Sequence, residues 1–282
     1  MTGTECRFEA ALALAHASVQ EQNKNSIGVQ KERLLHAFLK YYLEPDAAFH
    51  EQPTAGFSSH KANISPQEGG TDPGLASGRP FIADVQRDGA IIEVQTRDLY
   101  RLKRKLEAFL AQPEITQVNV VFPIATTKWL VWVEEDGTCR PRRKSPKPGT
   151  PMQILPELYG LRALLQSEKL TFTAAMVQLE EYRHLNGWSR DKKRGSHRME
   201  RVPLALDAMV ALRGTADYRR LVPDNLPAQF TVQEFGKQCR MQQKAAWRSL
   251  HVLTVVGVVQ KCGKRGRSDL YEMPDGAMEQ GC

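Results

Sequence analysis

Two acidic side chains, Asp84 and Glu93, stand on either side of an Asp88-Gly89 dipeptide, between two short apolar runs. Asp-Gly in this setting is a strong signal for a two-residue β-hairpin turn. If these two residues form the turn, Asp84 lies directly opposite Glu93, with both side chains on one face of the strand pair. Gln95 lies two residues further along the second strand and shares that face.

Opposed carboxylates of this kind could do metal-assisted chemistry. Two like charges facing each other in a half-buried sheet repel, and a divalent cation would compensate them. Mg²⁺ or Mn²⁺ takes one or two carboxylates together with waters and phosphate oxygens. Such an ion lowers the pKa of a water and neutralises charge on a phosphodiester. Asp84 and Glu93 therefore predict a metal site, and the alternative is an exposed sheet face where both are solvated.

A strand–strand–helix–strand unit is predicted around the turn. The strand-like runs cover 81–85 and 90–96, and the apolar spacing that follows predicts a helix over 97–110. The apolar run 118–122 predicts a buried strand, consistent with parallel pairing to the hairpin. A further strand is predicted over 128–134.

One more helix is predicted before this unit. Ser26 is placed to cap a helix over 26–43. Its apolar stripe consists of Leu34, Leu35, Phe38, Leu39 and Tyr42. Residues 52–79 are rich in Gly, Ser and Pro, which favours a long flexible loop. His36 and His50 are candidates to support metal ligands, although a lone histidine is more often structural.

The order of these elements resembles the PD-(D/E)XK nuclease superfamily over roughly residues 26–134. Segment 91–96 resembles the family's catalytic strand. The resemblance implies an α/β (α+β) fold, with a restriction-endonuclease-like mixed sheet flanked by helices. It also implies that Asp84 and Glu93 bind Mg²⁺ or Mn²⁺, with Glu32 as a further ligand. The runs 122–124 and 128–132 resemble an uncharacterised bacterial family, which implies no function.

Position 95 departs from the family pattern. The third residue of the motif is usually Lys, which helps to position and activate the attacking water, and here it is Gln95. A neutral amide can hydrogen-bond a water but brings no positive charge. Lys103 or Lys105 on the next helix, or Lys128, could supply that charge from elsewhere.

The resemblance and this departure together leave two functions open. One is a metal-dependent DNA endonuclease with Asp84, Glu93 and Gln95 as catalytic residues. The other is a DNA-binding regulator or scaffold whose nuclease-like domain only binds.

The charge distribution favours a polyanionic partner. The chain carries a net charge of +7, and residues 181–272 hold 18 Lys and Arg against nine Asp and Glu. A basic half joined to a near-neutral half is an electrostatic footprint for nucleic acid. The alternative is a basic surface that serves solubility alone.

The basic half contains a second recognisable pattern. Thr231 and Glu234 form a capping box that opens a short helix, and a second helix is predicted over 242–256. A basic hairpin follows, with its tip at 262–267. This order resembles a winged helix-turn-helix, in which the second helix enters the major groove and the wing contacts the backbone. The resemblance implies DNA contacts from Lys244, Arg248, Lys264, Arg265 and Arg267; the alternative is a winged helix that binds protein.

The predicted organisation has four parts. They are a variable helical N-terminal arm (1–25), the nuclease-like domain (26–168), a connector (169–225) and the winged helix-turn-helix (226–274). No apolar run approaches the ~18 residues of a membrane-spanning helix, and the start lacks the pattern of a secretory signal. Five cysteines without CxxC spacing favour neither disulfides nor zinc, so the reducing cytoplasm is expected. DNA is the expected partner, a membrane is not, and a homodimer is compatible with the sequence.

Overall fold

The chain forms a mixed sheet with helices on both faces in a computed structural model that describes residues 3–25, 33–54, 81–185 and 196–274. The strands of these ranges are β1 (His50–Pro53), β2 (Ile82–Arg87), β3 (Ala90–Val94), β4 (Gln117–Val133), β5 (Arg143–Lys144), β6 (Leu170–Leu185) and β7 (Ser196–Leu212). Their order is β1-β2-β3-β4-β6-β7, with β5 attached to β4. The β3–β4 and β4–β6 pairs are parallel, and the others are antiparallel.

The hairpin of β2 and β3 has the predicted register. Arg87 pairs with Ala90 and Val85 pairs with Ile92. Asp88 and Gly89 both have positive φ, 50° and 77°, as a type I′ turn requires. A Cβ at position 89 would lie 2.8 Å from the Glu114 carbonyl oxygen, so the close approach of the next loop also favours glycine here. The turn signal thus predicted the pairing from Arg87–Ala90 to Val85–Ile92.

Two apolar clusters hold helices on the two faces of the sheet. On one face, α1 (Gly3–Asn25) and α2 (Leu34–Leu43) pack on β3, β6 and β7. On the other, α3 (Lys103–Leu110) and α4 (Leu155–Leu158), with the 3₁₀ turns beside them, pack on β4 and β6. The predicted N-terminal arm is helical, and Phe8, Ala11 and Ala15 bury it against α2.

Some predicted boundaries are wrong. The helix predicted over 26–43 begins at Leu34, after an extended Arg33, and Ser26 lies outside the described residues. The helix predicted over 97–110 begins as a 3₁₀ turn at Leu99. The strands predicted over 118–122 and 128–134 are two parts of one β4, with an irregularity between Ala125 and Thr127. Most of the predicted loop 52–79 also lies outside the described residues, since their range stops at 54 and resumes at 81.

The connector predicted over 169–225 is a larger error. It holds β6, β7 and α5 (Thr215–Arg219), and β6 is a central strand of the sheet. Its first residues are buried on both faces, alternating between the two apolar clusters. A strand covered on both sides has no polar alternation, which is why its pattern does not separate strand from helix.

A smaller sheet follows the main one. Its elements are β8 (Gln229–Thr231), α6 (Val232–Gln238), α7 (Gln243–Val255), β9 (Gln260–Arg265) and β10 (Ser268–Glu272), with strand order β8-β10-β9. The predicted capping box is confirmed, because Thr231 Oγ1 accepts from the Glu234 N–H and Glu234 accepts from the Thr231 N–H. Leu250 and Leu253 of α7 share one apolar cluster with Leu158 and Leu161. This C-terminal unit is therefore packed onto the main sheet's helices and is not separated from them. None of the described helices is long and apolar enough to cross a membrane.

Candidate active site

The two predicted carboxylates meet where the hairpin strands part. The backbone ladder ends at the Val85–Ile92 pair, and side chains replace it beyond that point. The Asp84 N–H donates to Glu93 Oε1 at 3.1 Å, and the Val94 N–H donates to Asp84 Oδ2 at 2.8 Å. Asp84 and Glu93 are therefore neighbours, as predicted.

The shared open face is not observed. Asp84 reaches α2 and Glu93 reaches α3, helices that cover opposite faces of the sheet. Each carboxylate accepts a hydrogen bond from a backbone N–H of the other strand, so both lie at the gap where the strands part.

Glu93 is almost completely buried, with 1% of the residue exposed. Lys105 of α3 places Nζ 2.5 Å from Glu93 Oε2. Burial and the charge of Asp84 raise the pKa of Glu93 to about 7 despite this lysine. Of the three lysines considered from the sequence, Lys105 reaches the carboxylates, whereas Lys103 lies 3.9 Å from Glu107 and Lys128 lies near Glu181.

Asp84 is held by the helix on the other side. His36 Nε2 lies 3.3 Å from Asp84 Oδ2. Burial would raise the pKa of Asp84, but the hydrogen bond and charge of His36, together with the charge of Lys105, lower it overall. An ionised Asp84 beside a more basic Glu93 is the arrangement expected of two close carboxylates that cannot both ionise easily.

Helix α2 and its C-terminal cap contact β1 and β2 through polar residues spaced four apart. After His36, Lys40 binds Glu51 of β1 at 3.0 Å, and Glu44 binds Arg87 of β2 at 3.0 Å. The spacing of His36, Lys40 and Glu44, four residues apart, is a sequence signal that could have distinguished His36 from a solvated surface histidine.

The remaining candidates lie elsewhere. The Gln95 side-chain amide donates at 3.5 Å to the Asp98 carbonyl oxygen, so it is turned toward the following loop. His50 contacts the Glu44 carbonyl oxygen at 2.8 Å and packs against the tilted ring of Tyr41, with ring centroids 4.6 Å apart, which is a structural role. Glu32 lies outside the described residues.

The donor set fits a minimal Mg²⁺ site. Asp84 and Glu93 supply two hard carboxylates, and Mg²⁺ is usually bound by one or two of these with waters and substrate phosphates. No group of three or more His, Cys, Asp or Glu side chains could hold a metal within the described part of the chain. A metal at this place would have Asp84 and Glu93 as carboxylate ligands, whose oxygens accept from the Asp84 N–H, the Val94 N–H and Lys105 Nζ in this structure.

We expect the stability of the metal-free protein to fall between pH 5 and pH 8 because of Glu93. Its pKa is about 7 in the folded chain against an ordinary 4.5, so the folded state keeps a proton that the unfolded state has lost. The resulting stabilisation is complete below pH 4.5 and disappears as the pH rises through 7, a loss of up to about 3 kcal/mol. Urea denaturation at several pH values measures it.

Glu93→Gln should remove this fall, whereas Glu107→Gln, at an exposed carboxylate of α3, should keep it. Parallel pH profiles for wild type and Glu93→Gln would show that Glu93 titrates normally.

The basic residues predicted for DNA have different surroundings. A groove of about 590 Å³ between α6, α7 and β10 is lined by Lys244, Trp247 and Arg267, among others. Arg265 instead binds Glu234 at 2.9 Å. Arg248 is half-buried, with its guanidinium 5.8 Å from the ring centre of Tyr159, so it is less available to DNA than the resemblance implies. The sequence could not show that the segment containing Tyr159 packs on α7.

Similarity to other proteins covers the sheet and the carboxylates. The chain is 30% identical over 199 residues to a protein from Treponema pallidum (strain Nichols) named "Uncharacterized protein", a match that covers 68% of this chain and 75% of that protein. The chain belongs to the family of this Treponema protein. Residues 75–213 also match the family described as "Domain of unknown function (DUF8091)". No solved structure matches.

The DUF8091 match includes Asp84, Glu93, Lys105 and all of β2 to β7. Helices α1 and α2 and the C-terminal unit lie outside it. The region that the match delimits is therefore the sheet from β2 to β7 with its two carboxylates, without β1 and without His36.

Proposed function

We propose that this protein is a metal-dependent nuclease that hydrolyses phosphodiester bonds of DNA. The observation that carries the proposal is the meeting of Asp84 and Glu93 at the opening of the hairpin, with Lys105 on Glu93 at 2.5 Å. Two carboxylates and a lysine are the chemistry of the PD-(D/E)XK motif that the sequence resembles. Here the lysine comes from the helix after the catalytic strand, and it supplies the charge that Gln95 lacks.

Each side chain has a distinct role in this proposal. Asp84 and Glu93 would hold Mg²⁺ or Mn²⁺, which when bound lowers the pKa of a water and neutralises charge on the phosphodiester. His36 orients Asp84 through its hydrogen bond. Lys105 keeps Glu93 in place through the contact between its Nζ and Glu93 Oε2.

A second candidate is a DNA-binding regulator with an inactive nuclease-like domain. The observation that favours it is the burial of Glu93, whose partner Lys105 already neutralises it. The discriminating experiment is incubation of the full chain with supercoiled plasmid in Mg²⁺, Mn²⁺ or EDTA. Metal-dependent nicking or linearisation supports the nuclease, and an intact plasmid with measurable binding supports the regulator.

The C-terminal unit is proposed to recruit duplex DNA as a winged helix. The order α5, β8, α6, α7, β9, β10 and the β8-β10-β9 sheet support this assignment. Lys244 and Arg267 line one groove and Lys264 is exposed at the wing. Arg265, held by Glu234, and Arg248, against Tyr159, are less free to meet a phosphate.

The wing is expected to bind phosphates without reading bases. Replacing Lys264 and Arg267 with Ala should weaken duplex binding about equally for all sequences. The dependence of log affinity on log salt should flatten by roughly 0.9 for each phosphate that the variant no longer neutralises. Fluorescence anisotropy over a salt series measures both, with Arg248→Ala as the control that should change the salt slope least. An unchanged slope in the double variant would favour protein binding by this unit.

A further inference from the structure

A half-buried group of basic side chains surrounds Glu181, where β4, β6 and β7 continue beyond the end of β3. Glu181 is 0% exposed. Arg183 Nε donates to its Oε1 at 2.7 Å, and Arg201 Nε donates to its Oε2 at 3.2 Å. Arg198 Nε lies 3.3 Å from Oε2, and Lys128 of β4 is close enough for its charge to lower the pKa of Glu181. These four cations, Lys128, Arg183, Arg198 and Arg201, are called the basic cluster below.

Among the described residues, the basic cluster places three arginines on the single carboxylate of Glu181, which is more positive charge than this carboxylate balances. Arg198 Nε is buried and makes no hydrogen bond within the described residues, although it is close to Glu181. Burial and the charge of Arg201 lower the pKa of Arg198 to about 10. Burying charge without full compensation costs stability. A further anion would supply the missing compensation.

Within the described residues, the two other carboxylates of β6 and β7 that flank this site, Glu180 and Glu200, are not placed to supply it. Glu180 and Glu200 occupy alternate positions of β6 and β7, so they point to the other face of the sheet. Glu180 is bound there by Arg142 at 2.8 Å. Arg183, Arg198 and Arg201 keep 21–31% of their side chains exposed, and an external anion can therefore reach them.

The surroundings indicate which anion fits. Guanidinium groups bind phosphate oxygens in a planar, two-point geometry. The strand register places Trp132 beside Arg183, and an aromatic ring next to a cationic groove is a stacking surface for a nucleobase. Phosphate with a base beside it is the chemistry of a nucleic acid strand.

The basic cluster lies on the side of the sheet that leads to the carboxylates. Leu179, two residues before Glu181, packs in the same apolar cluster as α2, whose His36 contacts Asp84. Arg97, two residues after Gln95, is near enough for its charge to lower the pKa of Arg198. Val120 of β4 pairs with Glu93. The distance along β4 from Val120 to Lys128 is at most roughly 26 Å, at about 3.3 Å per residue. That span corresponds to about seven or eight nucleotide steps of one DNA strand.

We propose that the basic cluster binds a backbone phosphate of DNA several nucleotides from the Asp84–Glu93 pair. Phosphate binding follows from the uncompensated charge around Glu181, whereas its distance from a cleavage point rests on the proposed nuclease function. The cluster would thereby set the direction in which a strand crosses the carboxylates.

Arg198→Gln tests the proposal in the full chain. Binding of a labelled DNA duplex, measured by anisotropy in EDTA, should weaken about tenfold, and the salt slope should fall by roughly 0.9. The midpoint of thermal unfolding should stay equal or rise, because the change removes a poorly compensated buried charge. The matched control is Arg142→Gln, at an arginine that is paired with Glu180 on the opposite face of the same strands; its binding should be unchanged.

The outcomes separate this site from the nuclease itself. Arg183→Gln, at the most exposed arginine of the three, serves as a second variant if Arg198→Gln does not fold. Wild-type affinity and salt slope in the folded variants, or an equal loss in Arg142→Gln, would overturn the phosphate site. A plasmid that stays intact with Mg²⁺, combined with weaker binding by Arg198→Gln, would refute cleavage and support the site.

Discussion

Asp84→Asn should abolish Mg²⁺-dependent plasmid cleavage, with a loss of at least roughly a hundredfold. Asparagine keeps the shape of the side chain and an oxygen for the Val94 N–H, which donates to Asp84 Oδ2 at 2.8 Å. It removes the negative charge that, in the proposed function, would hold a cation. Mg²⁺ should also stop stabilising the folded chain, an effect worth about 2.7 kcal/mol at one hundred times the dissociation constant.

Asp88→Asn is the matched control for this experiment. It makes the same aspartate-to-asparagine change in the same hairpin, but at a side chain that is 91% exposed. Its positive φ suits asparagine as well as aspartate. Asp88→Asn should cleave and bind Mg²⁺ like wild type. Equal cleavage, or an equal Mg²⁺-induced shift of the unfolding midpoint, in Asp84→Asn would mean that this carboxylate is not a metal ligand.

The hairpin and its carboxylates could be predicted because their positions are encoded locally. Asp88 and Gly89 both tolerate positive φ, and a two-residue turn leaves a single register for the strands that it joins. That register puts Asp84 next to Glu93 whatever surrounds them. The apolar stripe of α2 and the Thr231–Glu234 capping box were predictable for the same reason, because both depend on residues three or four positions apart.

Features that depend on distant packing could not be predicted. The sequence offers Lys103, Lys105 and Lys128 equally, and only the placement of α3 on the sheet selects Lys105. Arg248 has the polar position of an outward-facing residue, yet Tyr159, 89 positions earlier, covers it. The basic cluster likewise forms because β6 and β7 pair in the sheet, which the apolar pattern of β6 did not reveal.

The sequence also missed how the carboxylates are oriented. Strand alternation puts opposed residues on one face only while the backbone ladder continues. The ladder stops before Asp84 and Glu93. Each carboxylate instead accepts from a backbone N–H of the opposite strand, and Asp84 also contacts α2 whereas Glu93 contacts α3. At the end of a hairpin, the sequence therefore predicts which residues lie together better than it predicts how their side chains are oriented.

Lys105→Gln should reduce cleavage roughly a hundred- to a thousandfold, the loss typical of removing one group that stabilises developing charge. Lys105 is the lysine that the described residues place on Glu93, at 2.5 Å. Lys103→Gln on the same helix is the control, because Lys103 is exposed and lies beside Glu107; it should cleave like wild type. Circular dichroism and the unfolding midpoint should show that both variants fold.

Gln95→Lys in the Lys105→Gln background makes the test specific for the charge. It moves the lysine from α3 to the motif position, where the PD-(D/E)XK nucleases that the sequence resembles usually carry it. Partial recovery of cleavage relative to the folded single Lys105→Gln variant is the expected result, because position 95 lies two residues after Glu93, just beyond the end of β3. A folded Lys105→Gln variant with full activity would show that Lys105 only fills the space beside a buried Glu93. The protein's cleavage chemistry would then have to work without a lysine at this place.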